Sequence, residues 1–111
     1  MKPFKEAVGY AGDLQAAYDY YKAYSPLAAR RFLADYAAAI QAITDHPQLC
    51  RLRRHGWRQM AIRSHPGYSI FYKELPSWWL FGGILSTLRD PDFIQAGLLI
   101  REVSEDPLLD E

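Results

Sequence analysis

The chain has 111 residues and a mass of 12.8 kDa, enough for one domain and too short for a two-domain enzyme. Half of the residues are hydrophobic and 23% are charged, a globular composition too apolar for a disordered chain. Thirteen Lys and Arg balance thirteen Asp and Glu, so no large basic field covers the molecule and any site for a polyanion must be local.

Residues 3–8 form a weak strand candidate, because Pro3, Lys5 and Glu6 dilute the apolar pattern and suit a sheet edge. From about Asp13 to Tyr24, Leu14, Ala17, Tyr18 and Tyr21 recur at helical spacing and predict an amphipathic helix. Ser25-Pro26 then supplies a capping hydroxyl and a proline at the first helical position. A second helix is predicted from Pro26 to about Asp45, with Ala29, Phe32, Leu33, Tyr36, Ile40 and Ile43 as its buried stripe and Pro47 as its stop. At 1.5 Å per residue it is roughly 30 Å long, and the two helices make a hairpin whose apolar face needs a sheet to cover. Trp57 to Arg63 and Tyr68 to Lys73 alternate as strands around the turn His65-Pro66-Gly67. In the second of them Tyr68, Ile70 and Tyr72 oppose Ser69, Phe71 and Lys73. Trp78 to Leu88 is a third strand, in which Gly82-Gly83 predicts a bulge or bend. Asp90-Pro91 repeats the cap-then-proline signal and predicts a short helix from about Asp92, weakened at Gly97. An acidic tail is expected from about residue 102.

Charge is segregated along the chain. Between His46 and Lys73 lie Arg51, Arg53, Arg54, Arg58, Arg63 and Lys73 with no acid, whereas 102–111 holds five acids and no base. A lone Cys50 allows no internal disulfide, and His46, His55 and His65 lack partners at ligand spacing, so neither metal nor cofactor is expected. No charged-then-apolar leader opens the chain, and the apolar stretch Trp78 to Leu85 falls short of the roughly 20 residues of a spanning helix. We expect a cytoplasmic protein without a membrane segment.

Six phrases, in this order, resemble the RelE/ParE superfamily of bacterial type II toxins: Ala16-Ala17-Tyr18-Asp19-Tyr20-Tyr21, Ser25-Pro26-Leu27-Ala28-Ala29-Arg30-Arg31-Phe32-Leu33, His46-Pro47-Gln48-Leu49, Arg58-Gln59-Met60-Ala61-Ile62-Arg63, Tyr68-Ser69-Ile70-Phe71-Tyr72 and Arg89-Asp90-Pro91-Asp92-Phe93. Together they cover nearly the whole chain. The resemblance implies an α+β fold of order β-α-α-β-β-β, with a helical hairpin packed on a small antiparallel sheet. It also implies a toxin held inactive by a cognate antitoxin. RelE-like members cut mRNA on the ribosome, and ParE-like members poison DNA gyrase.

Metal-free RNA cleavage needs a base, an acid and cations for the phosphorane charge. Where the ribonuclease-like members tend to carry His or Tyr, before Arg89-Asp90-Pro91, this chain reads Ser86, Thr87 and Leu88, none of which titrates near neutral pH. The sequence therefore sits closer to the ParE-like kind. RNA cleavage and a member without toxicity are the alternative readings, and His55 or His65 is the substitute for the missing proton-transfer group under the first. Arg51, Arg53, Arg54, Arg58, Arg63 and Arg89 are the candidate target-binding residues, since guanidinium forks suit phosphate and carboxylate oxygens. The basic loop reads equally as a docking place for an acidic antitoxin segment or as a solvated face. Tyr20 and Tyr24, four residues apart on the helix flank, are candidates for antitoxin binding through an exposed aromatic ledge. Cys50 reads as an ordinary small residue.

Overall fold

The structure, a computed structural model, describes residues 2–63, 65, 67–87 and 90–105, with the side chains of 104 and 105 left aside. Its elements follow the order β1 (Phe4–Glu6), α1 (Tyr10–Lys22), α2 (Pro26–Asp45), β2 (Trp57–Ala61), β3 (Tyr68–Glu74), β4 (Trp79–Ser86) and α3 (Pro91–Glu105). The expected architecture is present, with the sheet ordered β1-β4-β3-β2. The weak first strand does lie at an edge, paired parallel with β4 from Phe4 opposite Trp79 to Glu6 opposite Phe81. The other two pairings are antiparallel.

The bounds of α2 follow from local chemistry. Ser25 Oγ accepts a hydrogen bond from Ala28 N at 3.0 Å, satisfying one of the orphan amides of the first turn, and Pro26 occupies the first position. Ser25→Ala is expected to cost about 1 kcal/mol in a denaturant titration; a loss within error would show that the cap contributes nothing. Leu33, expected in the buried stripe, is exposed instead, and Tyr18 is only half-buried, with Lys22 Nζ 5.9 Å from its ring centre.

The helical hairpin covers one face of the sheet. Tyr10, Phe32, Ile43, Ile62, Ile70, Tyr72, Trp79, Phe81 and Ile84 meet there. Tyr10 and Tyr36 join their hydroxyls at 2.7 Å between the two helices, and burial pushes both hydroxyls above the ordinary tyrosine range. The opposite face of the sheet is covered as well: Trp57, Phe71, Leu75 and Leu80 pack under Ile94 and Leu98 of α3. This second layer explains why β3 buries Ser69 and Phe71 on one face as well as Ile70 and Tyr72 on the other.

The paired glycines of β4 make the expected bulge. Phe71 faces Gly83 and Tyr72 faces Phe81, so Gly82 is the additional residue. Its insertion shifts the side-chain alternation by one, which is how Trp79, Phe81 and Ile84 all reach the hairpin face. Of the two adjacent tryptophans, Trp79 enters that core, while Trp78 is half-buried with Lys5 Nζ 4.5 Å from its ring centre.

The C-terminal helix is longer than its sequence signal, because tertiary contacts hold it through and past Gly97. Asp90 Oδ1 accepts from Asp92 N at 2.8 Å and opens it as expected. Further along, Lys73 Nζ pairs with Glu102 at 2.9 Å, and Arg101 Nη1 with Asp13 Oδ2 at 2.6 Å. The stretch expected as a tail from 102 thus begins on α3. No helix among the described residues is long and apolar enough to cross a membrane.

Candidate functional site

The basic loop between α2 and β2 is folded back on the sheet rather than left free. Tyr72 Oη donates to Pro47 O at 2.7 Å, and Arg58 Nη1 donates to Cys50 O and, at 3.4 Å, to Gln48 O. Arg53 N bonds Trp57 O at 2.8 Å, and Leu52 bridges Arg58. His55 and Gly56 turn the chain back into β2 through the left-handed region, at φ 57° and φ 80°. These ties leave Arg51, Arg53 and Arg54 exposed on the outer side of the loop.

Arg53, Arg54 and Arg58 converge on one cavity of about 320 Å³, walled by Gln59 of β2, Phe71 of β3, Thr87 and the first turns of α3. Two of its polar atoms are buried without a hydrogen-bond partner among the described residues, Arg58 Nε and Gln95 Oε1. One is a donor and the other an acceptor, so the wall offers complementary polar groups beneath a cationic rim. Arg54 pairs with Asp92 at 3.1 Å, but both side chains are exposed and such a pair is weak enough to open for a ligand.

The candidate arginines therefore divide. Arg53, Arg54 and Arg58 come together, and Arg51 stands exposed on the same loop. Arg63 is exposed at the other end of β2, beside the turn to β3, and does not join them. Arg89 lies outside the described residues. Arg58, expected among the target-binding arginines, also holds the loop carbonyls and is half-buried, so its removal would disturb the loop as well as the cavity. Gln59 and Gln95 were missed. The Asp90-Pro91 cap does place Gln95 in the second turn of α3, but which side of that helix faces the sheet cannot be read from local sequence.

The two loop histidines occupy different surroundings. His55 is exposed beside the arginines. His65 is buried, its ring 4.7 Å from Tyr21 and 5.3 Å from Phe32 between ring centres, with Nε2 2.8 Å from Asp35 Oδ2. It is thus a core residue that fastens the β2–β3 turn to α2. Among the described residues, no group of three or more His, Cys, Asp or Glu is placed to hold a metal ion.

A second surface lies along the helical hairpin. Tyr20 and Tyr24 are 49% and 72% exposed, with ring centres 5.5 Å apart and hydroxyls 3.3 Å apart. The bond to Tyr24 raises the Tyr20 hydroxyl above the usual tyrosine range. Tyr20 also approaches Tyr68, at 6.3 Å between ring centres, and Tyr68 lines a groove of about 340 Å³ between α1 and α3. Ala16, Ala17 and Gly97 keep that groove open, and the Asp13–Arg101 pair closes one part of its wall.

A helical hairpin on a twisted sheet, with a cationic hollow on the far face and an aromatic ledge on the near one, defines the chain as a toxin of the RelE/ParE superfamily. The profile of the family described as "ParE toxin of type II toxin-antitoxin system, parDE" matches residues 9–80, and the chain belongs to that family. The match runs from the start of α1 into the first residues of β4 and leaves α3 outside it. No curated protein matches the chain.

Proposed function

We propose that this toxin acts by binding a protein target, DNA gyrase, through the arginine cavity, and that a cognate antitoxin neutralises it by docking on the Tyr20–Tyr24 ledge and the groove beside it. The observation that carries the first half is the cavity itself. Three guanidinium groups, two side-chain amides and a threonine hydroxyl bind and orient anionic or polar groups, and none of them is suited to exchange protons at neutral pH. Such a lining favours recognition over hydrolysis. The ledge supports the second half, since exposed paired tyrosines bury large area at small entropic cost in a partner interface.

Purified toxin is expected to inhibit gyrase supercoiling or to trap gyrase-cleaved DNA. Arg53→Ala with Arg54→Ala should weaken that effect by at least about tenfold while the melting temperature stays within a few degrees, because exposed arginines contribute little to stability. Codon-specific cuts in ribosome-bound mRNA that vanish in His55→Ala would instead establish the ribonuclease reading, with His55 as the proton-transfer group beside the arginines. Tyr20→Ala with Tyr24→Ala should release the antitoxin in a pull-down, and unchanged capture would remove the ledge from the interface.

A further inference from the structure

The arginine cavity has walls of three kinds. Trp57, Phe71 and Ile94 line it from the second core and make its floor apolar. Of the two side-chain amides in the wall, Gln59 is fixed by donating to Ser69 Oγ at 3.0 Å. Gln95 Oε1, by contrast, is buried with no hydrogen-bond partner among the described residues. A buried carbonyl oxygen without a donor is costly, so a ligand that brings an N–H to it gains affinity over one that does not. Arg53 and Arg54 are exposed at the rim, and none of the described residues that line the cavity is acidic.

We infer that the cavity seats a short acidic and apolar motif of the protein target. An apolar side chain of that segment packs on Phe71 and Ile94, a main-chain N–H beside it donates to Gln95 Oε1, and a neighbouring Asp or Glu side chain reaches Arg53 and Arg54. With the cavity as the target-binding site, on which this motif rests, the target must present all three groups within adjacent residues.

Two features select a protein segment over a nucleic-acid strand. A volume of about 320 Å³ on an apolar floor suits a side chain with its backbone, and the acceptor in the wall matches the amide that every extended peptide carries. A nucleic-acid strand is charged at every nucleotide and needs cations along its track. Here Arg63 lies at the other end of β2, and Asp90 and Asp92 stand at the start of α3 beside the rim, where they repel flanking phosphates. A single carboxylate needs only a guanidinium fork, and Arg54 gives up its exposed bond to Asp92 for one at little cost.

Titration of the isotope-labelled full chain, without antitoxin, with acetyl-Glu-Leu-Glu-N-methylamide tests this by nuclear magnetic resonance and uses no gyrase. The Gln95 side-chain amide and the Arg53 and Arg54 Nε–H resonances are expected to shift together and saturate, with a dissociation constant on the order of 1 mM for so few contacts. Three altered peptides should each bind the same protein at least about fivefold more weakly: one with glutamine for both glutamates, one with alanine for leucine, and one N-methylated at every residue so that no N–H reaches Gln95. Arg53→Ala with Arg54→Ala should weaken the parent peptide at least about tenfold. No shift at about 10 mM peptide, or equal binding of the neutral or the N-methylated peptide, would overturn the motif. So would a single-stranded RNA tetramer that moves the same resonances at lower concentration, since the cavity would then be a phosphate site. Loss of antitoxin capture in Arg53→Ala with Arg54→Ala would give the motif to the antitoxin and overturn its assignment to the target. Peptide binding by a toxin that leaves gyrase supercoiling intact keeps the motif and assigns it to another protein target. Gyrase inhibition that depends on Arg53 and Arg54 in a toxin without any peptide response removes the motif and keeps the site.

Discussion

Arg101→Ala is expected to lower the stability of the domain by about 3 kcal/mol, the low end of what breaking a buried ion pair costs, because the pair keeps some exposure. Three interactions depend on this guanidinium. It meets Asp13 through Nη1 at 2.6 Å and Nη2 at 3.2 Å, and Nη1 also donates to Gly82 O at 2.7 Å. Asp13 in turn accepts from Ile84 N at 3.1 Å. Alanine would strand a mostly buried carboxylate and free a strand carbonyl at once. Guanidinium denaturation of Arg101→Ala, Asp13→Ala and the double variant measures the coupling, and a single-variant loss below about 1 kcal/mol would mean that water replaces the pair at little cost. The same clamp joins α1, β4 and α3, three elements otherwise drawn from separate parts of the sequence.

Gly82→Ala is expected to destabilise by about 3 kcal/mol or to prevent accumulation of folded protein. A Cβ at this position would lie 2.6 Å from two ring atoms of Trp57 and 3.1 Å from Leu98 Cδ2. Trp57 is among the most buried side chains, so relieving the clash means displacing a packed core ring. Gly97→Ala is the matched control, since a Cβ there meets nothing within 4 Å. It should gain up to about 1 kcal/mol from helix propensity. Equal melting temperatures for the two variants would refute the account of β4 given by the bulge.

The two glycines also show where local sequence stops being informative. By propensity Gly97 is a weak point of the last helix. Burial of Ile94 and Leu98 and the ion pairs of Arg101 and Glu102 outweigh it, and all of these depend on residues far away in the chain. Apolar periodicity alone starts α1 at about Asp13, for a related reason. Gly9, at φ 95°, opens the helix without a capping side chain, and burial of Tyr10 extends it to residues that carry no signal of their own. Where the chain carries explicit stops and starts, as at Ser25-Pro26, the boundary was legible to the residue. The arginine loop could be seen in the charge pattern, but the cavity could not, because Phe71 and Gln95 reach it from a strand and a helix whose packing order is a tertiary fact. Arg58 and His65 were visible as candidates, yet their roles as a loop tether and a core fastening appear only with their partners.

The short β1 leaves a further consequence in the sheet. It accompanies β4 only from Trp79 to Phe81, so among the described residues the stretch from Gly82 onward has no neighbouring strand on that side. Such a stretch is a template on which a foreign chain can stack and seed aggregates. Here the carbonyl of Gly82 is taken by Arg101 and the amide of Ile84 by Asp13. The ion pair that staples the domain therefore also acts as a gatekeeper, since an incoming amyloid-like strand finds neither group unengaged.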